Sequence, residues 1–176
     1  MSGNNLYDVI IVGGGPAGLT AGIYAKRAAL ETVLVERGVP GGQVAVTPAV
    51  ENYPGFPEIG GFDLCEKFSQ HAQSYGLKIL QEEAEAVEPG GDYHSLRLAN
   101  GSKLSAHALI LATGGSPRTL NAPGEQKNFG RGVSYCATCD GFFFRNKVVA
   151  VIGGGDTALE DALYLSKIAS KVYLIH

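Results

Sequence analysis

The chain has 176 residues, a length for one domain or two, and fourteen Lys and Arg against seventeen Asp and Glu leave a formal charge of −3. That mild, dispersed acidity removes the electrostatic basis for binding nucleic acid or an anionic membrane surface, and no apolar run approaches the roughly 18–20 residues of a membrane span. Hydrophobic residues at 45% allow a packed core, while three cysteines are too few for a disulfide scaffold.

The opening Met-Ser-Gly-Asn-Asn lacks the basic and apolar regions of a signal peptide, and the low cysteine count leads to the expectation of a cytoplasmic protein. A buried strand is predicted over Leu6–Val12. It runs into Gly13, Gly15 and Gly18, a G-x-G-x-x-G turn with Pro16 in the first turn of the following helix, where its missing N–H costs nothing. Gly13 permits the tight turn, Gly15 lets a pyrophosphate approach the backbone, and Gly18 allows close helix–strand packing. The helix N-terminus offers free N–H groups to phosphates. Glu36 ends the next strand, where a carboxylate can accept hydrogen bonds from ribose hydroxyls.

Residues 37–61 hold ten glycines and prolines and are expected to be an irregular, functional loop. An amphipathic helix is predicted over Phe62–Tyr75, with Phe62, Leu64, Cys65, Phe68 and Ala72 near one face and Cys65 as a small buried hydrophobe. Strands are predicted at Leu77–Leu80, Ala84–Val87 and Ser95–Ala99, joined by Gly90-Gly91-Asp92 and Asn100-Gly101 turns into a small antiparallel β insertion. His107–Ala112 reads as a last buried strand, and Thr113 to Gly132 as a linker.

Cys136-Ala137-Thr138-Cys139 follows. Cysteines at i and i+3 can close a small disulfide ring, and at the start of a helix the dipole favours the thiolate. Asp140 adds a carboxyl group suited to shuttling the proton that exchange requires. The inert alternatives are two reduced cysteines or a structural clip. Zinc is disfavoured, because one cysteine pair supplies half of a closed site and no histidine stands at ligand spacing.

Residues 149–176 then repeat residues 9–36 without a gap. Gly13–Gly15 fall on Gly153–Gly155, Leu19 on Leu159, Tyr24 on Tyr164 and Leu34 on Leu174. The second copy carries Gly153, Gly155 and Ala158, the G-x-G-x-x-A variant. His176 stands where Glu36 stands in the first, withholding the carboxylate that would repel a 2′-phosphate, which favours NADP(H). Two nucleotide units, one with an acid and one without, suggest a flavin followed by a nicotinamide.

The segments YDVIIVGGGPAGLTAGIYAKRA, GGQ…ENYPG, LILATG, CATCDGFFFRNK and VIGGGDTALEDALYLSKIASKVYLIH together resemble the low-molecular-weight thioredoxin reductases, from Tyr7 to His176. The resemblance implies an α/β fold of two Rossmann-like βαβ domains, an FAD-binding domain over 1–115 and an incomplete NADPH-binding domain over 116–176. It implies FAD contacts at Gly13, Gly15, Pro16, Ala17, Glu36, Gly42, Gln43, Asn52, Val87, Ala112, Thr113 and Gly114, and NADPH contacts at Gly153, Gly155, Asp156, Thr157 and Ala158. It implies that Cys139 is the sulfur attacked from the flavin, that Cys136 emerges to exchange with thioredoxin, that Asp140 relays the proton, and that hinges at Gly114-Gly115 and near Gly132 begin a domain rotation. A homodimer is expected. Members of that group are considerably longer and continue beyond the His176 position into a pair of arginines, so a partial sequence is expected. The other readings are the flavoprotein component of a peroxide-reducing system, a dithiol oxidase, and an inactive flavin-binding module.

Overall fold

The computed structural model describes residues 6–176 and divides into two compact units, one ending at Ser116 and the other running from Pro117 to His176. In the first, the β-branched run of β1 (Leu6–Val12) leads through the glycine turn into α1 (Pro16–Arg27) and on to β2 (Thr32–Glu36). Lys26 and Arg27 occupy the last turn of α1, where cations meet the negative end of the helix dipole. There follow α2 (Gly61–Ser74), β3 (Lys78–Gln81), β4 (Ala84–Glu88), β5 (His94–Leu98) and β6 (Lys103–Leu111). The six strands form one sheet in the order β3-β2-β1-β6-β5-β4.

Three expectations change here. The segment 77–80 is grouped by the sequence reading with the antiparallel strands, yet β3 pairs parallel with β2, Val33 opposite Lys78. The connection decides this, because α2 is a crossover helix and such a helix returns the chain parallel. The antiparallel part comprises β4, β5 and the first half of β6, while β6 also runs parallel to β1. The predicted buried strand at His107–Ala112 begins earlier, at Lys103, and its end is open, with Leu111 64% exposed. Apolar composition fits a strand for a core, but burial needs a covering layer, and the layer here covers Leu104 and Ala106. Phe62, expected on the buried face of α2, is 57% exposed, whereas Leu64, Cys65 and Ala72 are buried.

The sheet is rolled. Strands β3 and β4 stand at its opposite edges but are joined by Glu82 and Glu83 alone. A flat sheet would hold them about five spacings of ~4.8 Å apart, more than the ~11 Å that so short a connection spans. Curling accordingly brings Leu96 and Leu98 of β5 into one cluster with Ile10, Val12, Val33 and Val35. The alternate residues Val9, Ile11 and Leu34 point to the other face and pack with Leu19 of α1 and Ala72 of α2.

The second unit contains α3 (Glu125–Asn128), α4 (Ala137–Asp140) with a 3-10 turn over Gly141–Phe144, then β7 (Val148–Ile152), α5 (Asp156–Leu165) and β8 (Lys171–Ile175). β7 lies parallel to β8 with Val149 opposite Val172, and Val9 lies opposite Thr32 in the first unit. The two copies therefore share one register as well as one sequence pattern. The stretch read as a linker up to Gly132 is folded into this unit from Pro117 onward.

Candidate functional site

At the carboxyl end of β1 the chain is shaped by what a side chain would strike. Gly13 has φ of +108°, and a Cβ there would lie 2.2 Å from the carbonyl oxygen of Ala112. A Cβ on Gly18 would lie 1.9 Å from the Gly13 carbonyl oxygen, so helix and turn touch backbone to backbone. Gly15 is the opposite case. A Cβ there meets nothing within 4 Å, and no side chain caps the first turn of α1. The turn thus faces open space with unclaimed N–H groups, which fits a pyrophosphate.

Other predicted residues gather at the same sheet end. Glu36 accepts hydrogen bonds from the Gly14 N–H at 2.6 Å and the Gly38 N–H at 2.9 Å. Gly41 donates its N–H to the Gly14 carbonyl, which brings the following loop across the turn, and a Cβ on Gly42 would sit 3.4 Å from the Cα of Gly15. That loop, expected to be irregular, opens with a 3-10 turn over Gly42–Val46. The amide of Gln43 donates to the carbonyl of Gly115. The Ala112 N–H bonds the Val12 carbonyl, so Ala112, Thr113 and Gly114 leave β6 beside the glycine turn. These strand ends lie where β1 is flanked by β2 on one side and β6 on the other, the crevice in which open α/β sheets take ligands.

Asn52 and Val87 lie apart from this group. Asn52 is exposed in a loop closed by the bridge between Val50 and Ile59. Val87 is on the edge strand β4, with β5 and β6 between it and β1.

In the second unit Gly153 has φ of +137°, and Gly155 again faces open space at an uncapped helix start. The His176 ring covers Gly154, where a Cβ would meet its Nδ1 at 2.5 Å, as Glu36 covers Gly14. Ala158 replaces the glycine of the first copy, and a Cβ on Gly153 would stand 3.2 Å from its Cβ. Asp156 and Thr157 open α5.

Cys136 and Cys139 form a disulfide with Cα atoms 5.3 Å apart. Cys136 caps α4, its Sγ accepting from the Cys139 N–H at 3.2 Å and from the Thr138 hydroxyl at 3.4 Å. Cys136 is half-buried and Cys139 exposed. The helix has four residues, so its dipole is short and the thiolate gains less from it than a full helix would provide. Gly141 seats this element against α5, since a Cβ there would lie 2.8 Å from the Tyr164 ring. The Asp140 carboxylate accepts from the Ser134 hydroxyl at 2.5 Å.

Sequence reasoning passed over Glu125. Its buried carboxylate accepts from the N–H of Leu120 at 2.8 Å, the N–H of Ala122 at 3.1 Å and the hydroxyl of Tyr135 at 2.5 Å. The Tyr135 bond, with the Leu120 and Ala122 N–H groups, holds the Glu125 carboxyl below its usual range, and the same bond pushes the Tyr135 phenol up. The Pro-Gly turn before an acid at the head of a short helix was the available signal. The third thiol, Cys65, is buried in α2 with its Sγ 3.4 Å from the Gly41 carbonyl oxygen, and burial pushes its pKa up.

Residues 7–176 match the pyridine nucleotide-disulphide oxidoreductase family. The chain is 47% identical over 176 residues to the thioredoxin reductase of Bacillus subtilis and 46% identical over 173 residues to that of Helicobacter pylori, covering 55% and 56% of those proteins. The crystal structure of thioredoxin reductase from Streptococcus pyogenes aligns with a TM-score of 0.92 at 41% identity, over 99% of this chain and 56% of that one. The thioredoxin reductase structure from Giardia duodenalis aligns with a TM-score of 0.90 at 40% identity, over 96% of this chain and 55% of that one. The chain thus spans about half the length of the relatives it matches. With a disulfide-bonded C-x-x-C and two dinucleotide-type turns in one sequence, the chain belongs to the pyridine nucleotide-disulphide oxidoreductase family.

Proposed function

We propose that this chain serves in a flavoprotein disulfide reductase that takes electrons from NADPH through FAD into the Cys136–Cys139 couple and passes them to thioredoxin. The observation that carries the reading is the joint presence of a C-x-x-C disulfide and two open glycine cradles, at Gly15 and Gly155. FAD and NADPH supply two-electron transfer when bound. The first unit holds the flavin nucleotide through the N–H groups after Gly15, with Pro16 and Ala17 opening the helix and Glu36 on the ribose. Gly42, Gln43, Ala112, Thr113 and Gly114 shape the rest of that crevice, while Asn52 and Val87, which lie apart from it, are assigned to the flavin by the resemblance alone. In the second unit Gly153, Gly155, Asp156, Thr157 and Ala158 form the nicotinamide nucleotide turn, and His176 stands there without the carboxylate that would repel a 2′-phosphate.

The protein's own chemistry is disulfide exchange. Exposed Cys139 is the sulfur open to attack, and the S–S bond breaks toward Cys136. Once the couple is reduced to the dithiol, the Cys136 thiolate attacks the thioredoxin disulfide and displaces one thioredoxin thiolate. Cys139 then attacks Cys136, breaking the mixed disulfide, re-forming the protein disulfide and releasing the second thiolate, while Asp140 carries a proton between sulfur and solvent. The relatives' names give thioredoxin as the partner, and the three-cysteine composition suits a reducing cytoplasm. The experiment is thioredoxin reduction with NADPH as sole electron source. Cys136→Ser and Cys139→Ser are each expected to abolish it; turnover undiminished by either substitution overturns the proposal.

A further inference from the structure

Ser134 makes three hydrogen-bond contacts that tie Asp140 to the backbone of Cys136. Its Oγ accepts the Cys136 N–H at 3.1 Å, lies 2.5 Å from Asp140 Oδ2, and lies 3.3 Å from the Cys136 carbonyl oxygen. A serine hydroxyl has one proton and two lone pairs, so it donates to one of those two acceptors at a time. With Asp140 ionised, the proton goes to the carboxylate. With Asp140 protonated, the carboxyl O–H donates to Oγ and the serine proton turns to the Cys136 carbonyl. In both states the serine proton and the Cys136 N–H keep an acceptor.

We infer that Ser134 is a positioning residue for disulfide exchange, a two-state hydroxyl that holds the Asp140 carboxyl beside Cys136 both before and after it takes up a proton. The inference rests on the redox reading of the cysteine pair above. In the exchange step, the Cys136 thiol gives its proton to Asp140 and its thiolate attacks one sulfur of a disulfide. The substrate S–S bond breaks and one thiolate leaves. The Cys139 thiolate then attacks Cys136, closing the protein disulfide and releasing the second thiolate. Two electrons pass from the protein dithiol to the substrate disulfide, and both thiol protons reach solvent, one of them by way of Asp140. Ser134 enters no bond made or broken, and acts only through the acid it holds.

The test uses the whole 176-residue chain, reduced with a dithiol and freed of it, then mixed with the chromogenic disulfide dithiobis-nitrobenzoate under stopped flow. Ser134→Ala is expected to slow the attack about tenfold, a modest share of what positioned acid–base groups contribute, while Ser134→Thr, which keeps the hydroxyl, stays within about twofold. Asp140→Asn is expected to slow the attack at least as much, and adding Ser134→Ala to it is expected to cost nothing further, the non-additivity of two groups acting as one. Thermal melting identifies variants that do not fold, and Ser134→Gly supplies the same comparison where the alanine chain does not. An unchanged rate in Ser134→Ala, or equal slowing by Ser134→Ala with and without Asp140, overturns this inference alone. An Asp140→Asn chain as fast as the original also overturns this inference and leaves the redox reading standing, whereas a reduced chain that does not attack the probe at all overturns both.

Discussion

The carboxylate of Glu36 reaches back over the first glycine turn and accepts the Gly14 N–H at 2.6 Å. Its other oxygen accepts from Gly38. A carboxylate has about four lone-pair directions, so two remain for ribose hydroxyls, and the contacts that hold Glu36 in place also aim it. Glu36→Ala strips the ribose acceptors and leaves Gly14, which is buried, without its partner. The expected result is a flavin affinity lower by about 10–100-fold, or ~1.4–2.8 kcal/mol, in a titration followed by flavin fluorescence. Glu36→Gln retains an acceptor and is expected to fall between the two.

Gly15 and Gly18 separate binding from folding. A Cβ on Gly15 meets no atom of the chain, so Gly15→Ala is expected to melt within a degree or two of the unaltered protein yet lose FAD binding. A Cβ on Gly18 would press on the Gly13 carbonyl at 1.9 Å, and overpacking of this kind costs about 1–3 kcal/mol. Gly18→Ala is therefore expected to lower the melting temperature by several degrees whether or not FAD is present. FAD binding retained by Gly15→Ala would mean that the Gly15 space is not reserved for a ligand.

The glycine turns, the elements around them and the cysteine pair are legible in sequence because their causes are local. A β-branched run, a glycine at positive φ and a proline at a helix start each act within a few residues. The repeat from residue 9 to 36 and again from 149 to 176 carries its own check, since Val9–Thr32 and Val149–Val172 pair alike. What stayed hidden depends on distant partners. The parallel pairing of β3 follows from the crossover through α2, and the exposure of Leu111 from which layer covers β6. Glu125 looks like any surface acid until Tyr135, ten residues on, is seen to meet it.

That Glu125–Tyr135 contact is expected to fail at both ends of the pH scale. The Glu125 pKa is lowered in the folded chain, so its contribution is present above the unfolded carboxylate value of ~4.3 and is lost as pH falls through the folded value. The Tyr135 pKa is raised, so its contribution is complete below the unfolded value of ~10 and is lost as pH rises through the folded one. Glu125→Gln is expected to remove the acid limb, to lower the melting temperature at neutral pH, and to bring the Tyr135 ionisation down toward that of a free phenol. The last is read as the difference in ultraviolet titration between each chain and its Tyr135→Phe counterpart. An unmoved Tyr135 titration in Glu125→Gln would show that the contact does not govern its ionisation.

The three thiols should separate into two classes by accessibility. Cys65 is 1% exposed, its pKa is raised by burial, and its Sγ–H faces the Gly41 carbonyl. A neutral thiol is a poor nucleophile, and burial bars the reagent as well. The native oxidised chain is thus expected to release no chromophore quickly with an aromatic disulfide reagent. The reduced chain is expected to react at two sulfurs, Cys136 and Cys139, and the denatured reduced chain at three. Because the Gly41–Gly42 loop packs on Cys65, the crevice beside the first glycine turn and the thiol share one support: a Cβ on Gly41 would lie 2.9 Å from the Cys65 Cβ. Bound FAD, by fixing that loop, is expected to slow Cys65 alkylation further in mild denaturant. Cys65 labelling at the same rate with and without saturating FAD would uncouple the loop from the nucleotide.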